Sequence, residues 1–147
     1  IPNAKFHFLT KDDPNIIYHE IKELGIQPED IIIEESDRKD IPFKTRNWNF
    51  SVFFILPCFS KLSSSPTKQG ELMGMGIPII CNSGVGDVDS IVEKYQSGCV
   101  VPNLNQLNLD ELLKSKFDKQ ILRTGANDYF SLTKGVDSYH NIYENIC

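Results

Sequence analysis

Apolar positions change their period several times along this chain. Residues 4–10, AKFHFLT, alternate and are rich in aromatics, which predicts a β-strand. After the polar KDDPN, Ile17, Ile21 and Leu24 recur at helical spacing. Asp13 can cap that segment and Pro14 can take its first position, so a helix is expected over 14–24, stopped by Gly25. Residues 30–35, DIIIEE, form a short β-branched run and a second expected strand. A polar connection follows, with a short helix from Pro42. Residues 51–57, SVFFILP, are then almost continuously apolar, as suits a strand buried on both faces of a parallel sheet.

Further along, the pattern predicts a helix over 66–75, a strand over 77–81, a loop NSGVGD, a helix over 87–96 and a last strand over 98–102. Beyond Leu104 it is wholly helical, through 108–117, 118–132 and 135–146. Strand and helix alternate five times. This is the pattern of an α/β fold of the Rossmann-like, doubly wound kind, a parallel sheet with helices on both faces. One domain over 1–131 is expected, with 132–147 as its C-terminal helix. The chain also begins without a turn or cap ahead of its first strand, which reads as a fold entered part-way, its first strand missing.

The 147 residues allow one substantial core, and 40% hydrophobic residues is ordinary for a soluble protein. A net charge of -5 with no concentrated basic stretch argues against nucleic acid as a partner. No apolar run reaches the length of a membrane span, and IPNAKFHFL lacks the flanks of a signal peptide. Four scattered cysteines without a CxxC pair fit reduced thiols and a cytoplasmic location. Cys58 and Cys81 read as core residues near strand ends. No metal is expected, because neither His nor Cys stands at ligand spacing.

In a doubly wound fold, ligands lie beyond the carboxyl ends of the strands. The loops to consider are therefore 10–13, 34–39, 57–66 and 82–87. In the third of them, Ser65 is a good N-cap and Pro66 a good first helical residue, leaving the N–H groups of Thr67 and Lys68 at an electropositive helix start suited to a phosphate. Lys61 and Lys68 add charge, and Ser63, Ser64 and Thr67 add hydroxyls. The competing reading is that Ser-Pro simply starts a helix well. Glu71 lies five residues past Pro66, about 7–8 Å along the axis. That separation suits a carboxylate on ribose hydroxyls while the helix start holds the attached diphosphate.

Thr67, Gly70, Glu71 and Gly74 share one stripe without bulk, which leaves room for close approach of a ligand or of a packed element. Leu72, Met73 and Met75 read as core. In the first loop, Thr10 and Lys11 are further candidate ligand contacts. GVGD lacks the third glycine of a dinucleotide fingerprint, and its Asp87 reads as an N-cap. Neither a GxxxxGK[ST] nor a GxSxG motif is present. His7 and His140 read as structural and His19 as solvated.

SVFFILPCFSKLSSSPTKQGELMGMGIPIICNSGVGDVDSIVEKYQSGCVVP (51–102) resembles the donor-binding C-terminal domain of retaining GT-B glycosyltransferases of the group 1, or family 4, type. There a strand ending in Leu-Pro leads through a ligand loop into a helix of the form Glu-x-x-x-x-Gly-x-Pro-[Ile/Val]. A Gly-rich turn, an Ile-Val-Glu helix and G-x-x-V-P follow. Two glutamates are usual in that family. Glu71 matches the second, which holds the ribose, whereas the first is replaced by Ser63 or Lys61, depending on the direction of counting. SSPTK is similar to a subgroup with a Ser-Pro-x-Lys turn in this loop.

The resemblance implies transfer of a sugar from a UDP- or GDP-linked donor to an acceptor hydroxyl with retention, in surface polysaccharide or glycolipid synthesis. It also implies an N-terminal acceptor-binding domain, absent from this sequence, without which the fragment would not turn over, and peripheral membrane association of the whole protein. Lys68 and Lys61 become the catalytic candidates, stabilising charge on the leaving diphosphate, with no cofactor. Glu71, Ser63, Ser64, Ser65, Pro66, Thr67, Thr10 and Lys11 become the substrate-binding ones. The last helix of the family crosses to the other domain, so Tyr139 to Tyr143 are expected to expose an apolar face. A nucleotide-sugar 2-epimerase of the same architecture and a non-catalytic nucleotide-binding module are the alternatives.

Overall fold

The structure, a computed structural model, describes residues 4–102, 112 and 114–146. It is a mixed α/β protein with two compact units, residues 1–46 and 47–147. All strand pairing is parallel, in one sheet of two strands and one of three rather than the single sheet that the alternation predicts.

In the first unit, β1 (Phe6–Leu9) lies beside β2 (Ile31–Glu34), with Phe6 opposite Ile31 and Leu9 opposite Glu34. The crossover between them is α1 (Pro14–Glu23), which starts as expected: Asp13 Oδ1 accepts the N–H of Asn15 at 3.0 Å. Gly25, at φ 69°, takes the left-handed turn that ends it, and the Ile26 N–H bonds back to the Ile21 carbonyl at 3.0 Å. The short helix expected from Pro42 is α2 (Ile41–Thr45). His7 is tied into this unit: its Nε2 is 2.9 Å from Glu34 Oε1, and Lys44 Nζ donates to Glu34 Oε2 at 2.7 Å. The Lys44 bond is the main reason the Glu34 carboxyl ionises below its ordinary range.

The second unit orders its strands as β3 (Ser51–Phe53), β4 (Ile79–Asn82) and β5 (Gly98–Val101). Central β4 carries Ile79, Ile80 and Cys81, all buried. Burial raises the Cys81 thiol to about 12. The apolar run 51–57 departs from expectation, because only three of its residues are strand and Val52 and Leu56 are 55% and 83% exposed. As an edge strand of this sheet, β3 is covered less than a central one. Past Phe53 the ladder is continued by a side chain: Asn82 Oδ1 accepts the Ile55 N–H at 2.7 Å, and Asn82 Nδ2 donates to the Ile55 carbonyl at 2.8 Å.

Helices α3 (Thr67–Met75) and α4 (Val88–Tyr95) connect these strands, and α5 (Lys119–Phe130) and α6 (Leu132–Ile146) follow. Leu72 joins Ile77, Ile79, Cys81, Val85, Val88 and Val92 in the main core. Met73 joins Ile91 and Ala126 in a second, so α3 is gripped by the sheet on one side and by α4 and α5 on another. Gly76, at φ 74°, ends α3, with the Ile77 N–H bonded to the Leu72 carbonyl at 2.9 Å. Asp118 caps α5 through the N–H groups of Gln120 and Ile121. The helix expected over 108–117 lies largely outside the described residues. Along α6 no described residue is buried, and Tyr139 and Tyr143 are exposed, as expected. Among the described residues, no helix is long and apolar enough to cross a membrane.

Candidate functional site

The sequence pattern places a ligand loop after β3, and in the structure residues 54–66 run from the end of that strand to the start of α3. Lys61, Ser63, Ser65, Thr67, Lys68 and Glu71 are exposed along this loop and helix, while Ser64 and Pro66 are half-buried. All eight belong to the second unit. Thr10 and Lys11 belong to the first, where Thr10 closes a small turn by donating to Asp12 Oδ2 at 2.7 Å and accepting the Asp12 N–H at 3.1 Å.

The helix begins one residue later than expected and is not capped by Ser65. Its N-cap is Pro66, in an extended conformation with ψ 105°, and among the described residues no side chain caps the first turn. The N–H groups at a helix start have no intrahelical acceptor, so an uncapped start presents donors and a partial positive charge together. Ser65 instead donates to Asp87 Oδ2 at 3.3 Å. Asp87 occupies the N-cap position of α4 but gives no side-chain cap there, which corrects the role its position implies.

Asp87 is a junction that sequence reasoning missed. Besides Ser65, it receives the hydroxyl of Tyr129 from α5, at 2.7 Å on the same Oδ2. That bond is the main cause of the raised Tyr129 pKa, because a phenol donating to a carboxylate gives up its proton less readily. The other oxygen, Oδ1, is buried and has no hydrogen-bond partner among the described residues. Asp89, in the first turn of α4, takes the Ser83 hydroxyl at 2.5 Å.

The GVGD loop, free of any dinucleotide fingerprint, acts as a mould for the serine loop. Val85 is buried in the main core and fixes it. Gly86, at φ 48°, donates its N–H to the Lys61 carbonyl at 3.0 Å, which also accepts the Ser64 N–H at 3.2 Å. A Cβ on Gly86 would fall 1.7 Å from the Ser64 carbonyl oxygen, so the two backbones meet where only glycine fits.

The small-residue stripe on α3 serves packing first. A Cβ on Gly70 would lie 2.5 Å from the Phe130 ring, so α5 uses the space that the stripe leaves, and Gly74 faces Ala126 at an ordinary distance. Thr67, Glu71 and Gly74 remain its exposed members. Within the same helix Gln69 is fully buried, with neither amide atom bonded among the described residues. Cys58 departs from its expected place in the core: it is exposed, 3.3 Å from Ser60 Oγ. The Ser60 hydrogen bond, helped by backbone N–H groups and Lys61, lowers its pKa.

A separate cleft of about 270 Å³ is lined by Gln96, Gly98, Cys99, Lys116, Phe117 and Ile121, among others. It lies at the amino end of β5, the end opposite to where ligands of parallel α/β sheets sit. Lys116 is its cation, but the start of α5 beside it already has Asp118 as cap. The open helix start of α3 is therefore the better candidate for an anion. Comparison of the sequence with models of protein families finds no match, and comparison with curated proteins finds none.

Proposed function

We propose that this chain is the nucleotide-sugar-binding part of a retaining glycosyltransferase, carrying a donor diphosphate at the start of α3. The observation that supports this most is the uncapped start of a nine-residue helix, with exposed Lys61 in the loop before it, exposed Lys68 in its first turn and exposed Glu71 at its middle. The N–H groups and lysines meet the diphosphate, and Glu71 accepts from the ribose hydroxyls. The finer fold that goes with this reading is a GT-B donor domain, a Rossmann-like sheet that opens with one more strand and follows an acceptor-binding domain.

The chemistry follows from where charge develops. As the glycosidic bond to the leaving diphosphate breaks, the sugar becomes oxocarbenium-like and the diphosphate gains negative charge. Donors fixed at the helix start and the ammonium groups of Lys68 and Lys61 stabilise that charge more than the ground state, which lowers the barrier. Transfer goes to an acceptor hydroxyl held by the preceding domain.

The reading is tested by titrating UDP, GDP and CMP, with their sugars, into this chain and its Glu71→Ala variant. One nucleotide class is expected to bind, with the variant weaker by about tenfold or more, as for loss of a charge-assisted bond pair. If the variant binds every nucleotide as tightly as the parent, Glu71 does not hold the ribose.

A further inference from the structure

Resting on that reading, we propose that Asp87 is a positioning residue for the phosphate site, and that with Tyr129 it keeps the start of α3 open by holding Ser65 away from it. Serine just ahead of a helix ordinarily turns its hydroxyl onto the first free N–H groups. Here that hydroxyl is committed to Asp87 Oδ2, which is itself fixed by Tyr129 from a third helix. The first turn of α3, entered through Pro66, has no side-chain cap among the described residues. Donors that a serine would have consumed stay available for an anion.

The Asp87 carboxylate does not oppose such an anion as strongly as its charge implies. Oδ2 takes two hydroxyl protons and Oδ1 is buried, so the charge is directed inward rather than to the surface at the helix start. The inward side is the seam between α3 and α4. Ser65 and Asp87 close that seam at one end, and Met73 and Ile91 share a core cluster one or two turns further on. Gln69 stands four residues from both Ser65 and Met73, with its side chain leaning toward the helix start. Its buried amide and the Oδ1 of Asp87 are both without a hydrogen-bond partner among the described residues. Next to this junction, Gly86 holds the Lys61 carbonyl, so residues 61–65 are set by the 84–87 turn as a whole.

Charge and position make opposite forecasts for Asp87→Ala. Removing a negative charge beside an anion site would by itself tighten anion binding, whereas freeing Ser65 to cap α3, and loosening its loop, would weaken it. The test compares the parent chain with Asp87→Ala, Asp87→Asn and Tyr129→Phe in two measurements. The first is amide hydrogen exchange at Ser64 and Gly86, with Ile91 as an internal reference. The second is titration with UDP and GDP.

Asp87→Ala is expected to speed exchange at Ser64 and Gly86 by about tenfold while Ile91 is unchanged, and to weaken the bound nucleotide by a similar factor. Asp87→Asn, which retains an acceptor, should restore most of both, and Tyr129→Phe should lie between. Exchange that stays at the parent rate in Asp87→Ala and Tyr129→Phe, or nucleotide binding that tightens in Asp87→Ala, overturns the proposal. Should the parent bind no nucleotide, the functional reading falls, and the exchange rates still decide whether Asp87 sets this loop. If Asp87→Ala does not fold, Tyr129→Phe carries the same comparison without changing the charge.

Discussion

Gly98→Ala is expected to destabilise the protein by about 3 kcal/mol, lowering its Tm by roughly 10 °C. Gly98 opens β5 opposite Ile79, and a Cβ there would stand 2.0 Å from the Ile79 carbonyl oxygen and 2.8 Å from Ile79 Cγ1. Ile79 is fully buried on the central strand and its N–H bonds to the Ser97 carbonyl at 3.0 Å. Relief therefore requires either β5 to slide out of register or β4 to lift from the core. Thermal unfolding measures the result, with Gly74→Ala as control. A Cβ on Gly74 meets only Ala126, at 4.0 Å, and removing a helix-interior glycine should raise stability by about 0.5–1 kcal/mol. Equal Tm values for the two variants would mean that the β4–β5 contact is not as described.

Gly86→Ala should separate binding from stability. The new methyl group would meet the Ser64 carbonyl at 1.7 Å, at a backbone φ of 48° that costs an alanine about 1 kcal/mol by itself. The clash lies between two surface loops rather than within the sheet, so residues 61–65 can move away without opening the core. That movement breaks the bond from the Gly86 N–H to the Lys61 carbonyl and displaces the loop entering α3. Nucleotide affinity should fall about a hundredfold, while Tm falls less than for Gly98→Ala. Isothermal titration alongside thermal unfolding reads both quantities on one sample. Unchanged affinity in a variant with lowered Tm would detach the serine loop from the binding site.

Local signals carried most of the elements. Asp13-Pro14 marks the start of α1, Gly25 and Gly76 mark helix ends by their positive φ, and Pro42 marks α2, because each acts on backbone within a turn of itself. What escaped the sequence depends on distant partners. Ser65 has the chemistry of a cap, yet it bonds to a carboxylate 22 residues away, and the tyrosine sharing that carboxylate is 42 residues from it. Periodicity gave no hint of either bond.

Edge position was equally hidden. SVFFILP has the composition of a buried central strand, but strand order decides how it is covered, and that order depends on pairing across the chain. Cys58 followed the same error, since it reads as a strand-end core residue only if the strand reaches it. The open stripe of α3 was correctly seen as free of bulk. That Phe130 would be the group approaching Gly70 could not be read from the stripe, because α5 arrives 60 residues later.

The central claim is that an anionic nucleotide sits at the start of α3, and the most direct measurement is an NMR titration of the labelled chain with UDP, GDP and CMP. One of them is expected to shift the Thr67 and Lys68 amide resonances in a saturable way, with Glu71 moving in the same titration. Amides that stay still at Thr67 and Lys68 under all three nucleotides, or shifts confined to the cleft around Gln96, Cys99 and Lys116, would contradict it.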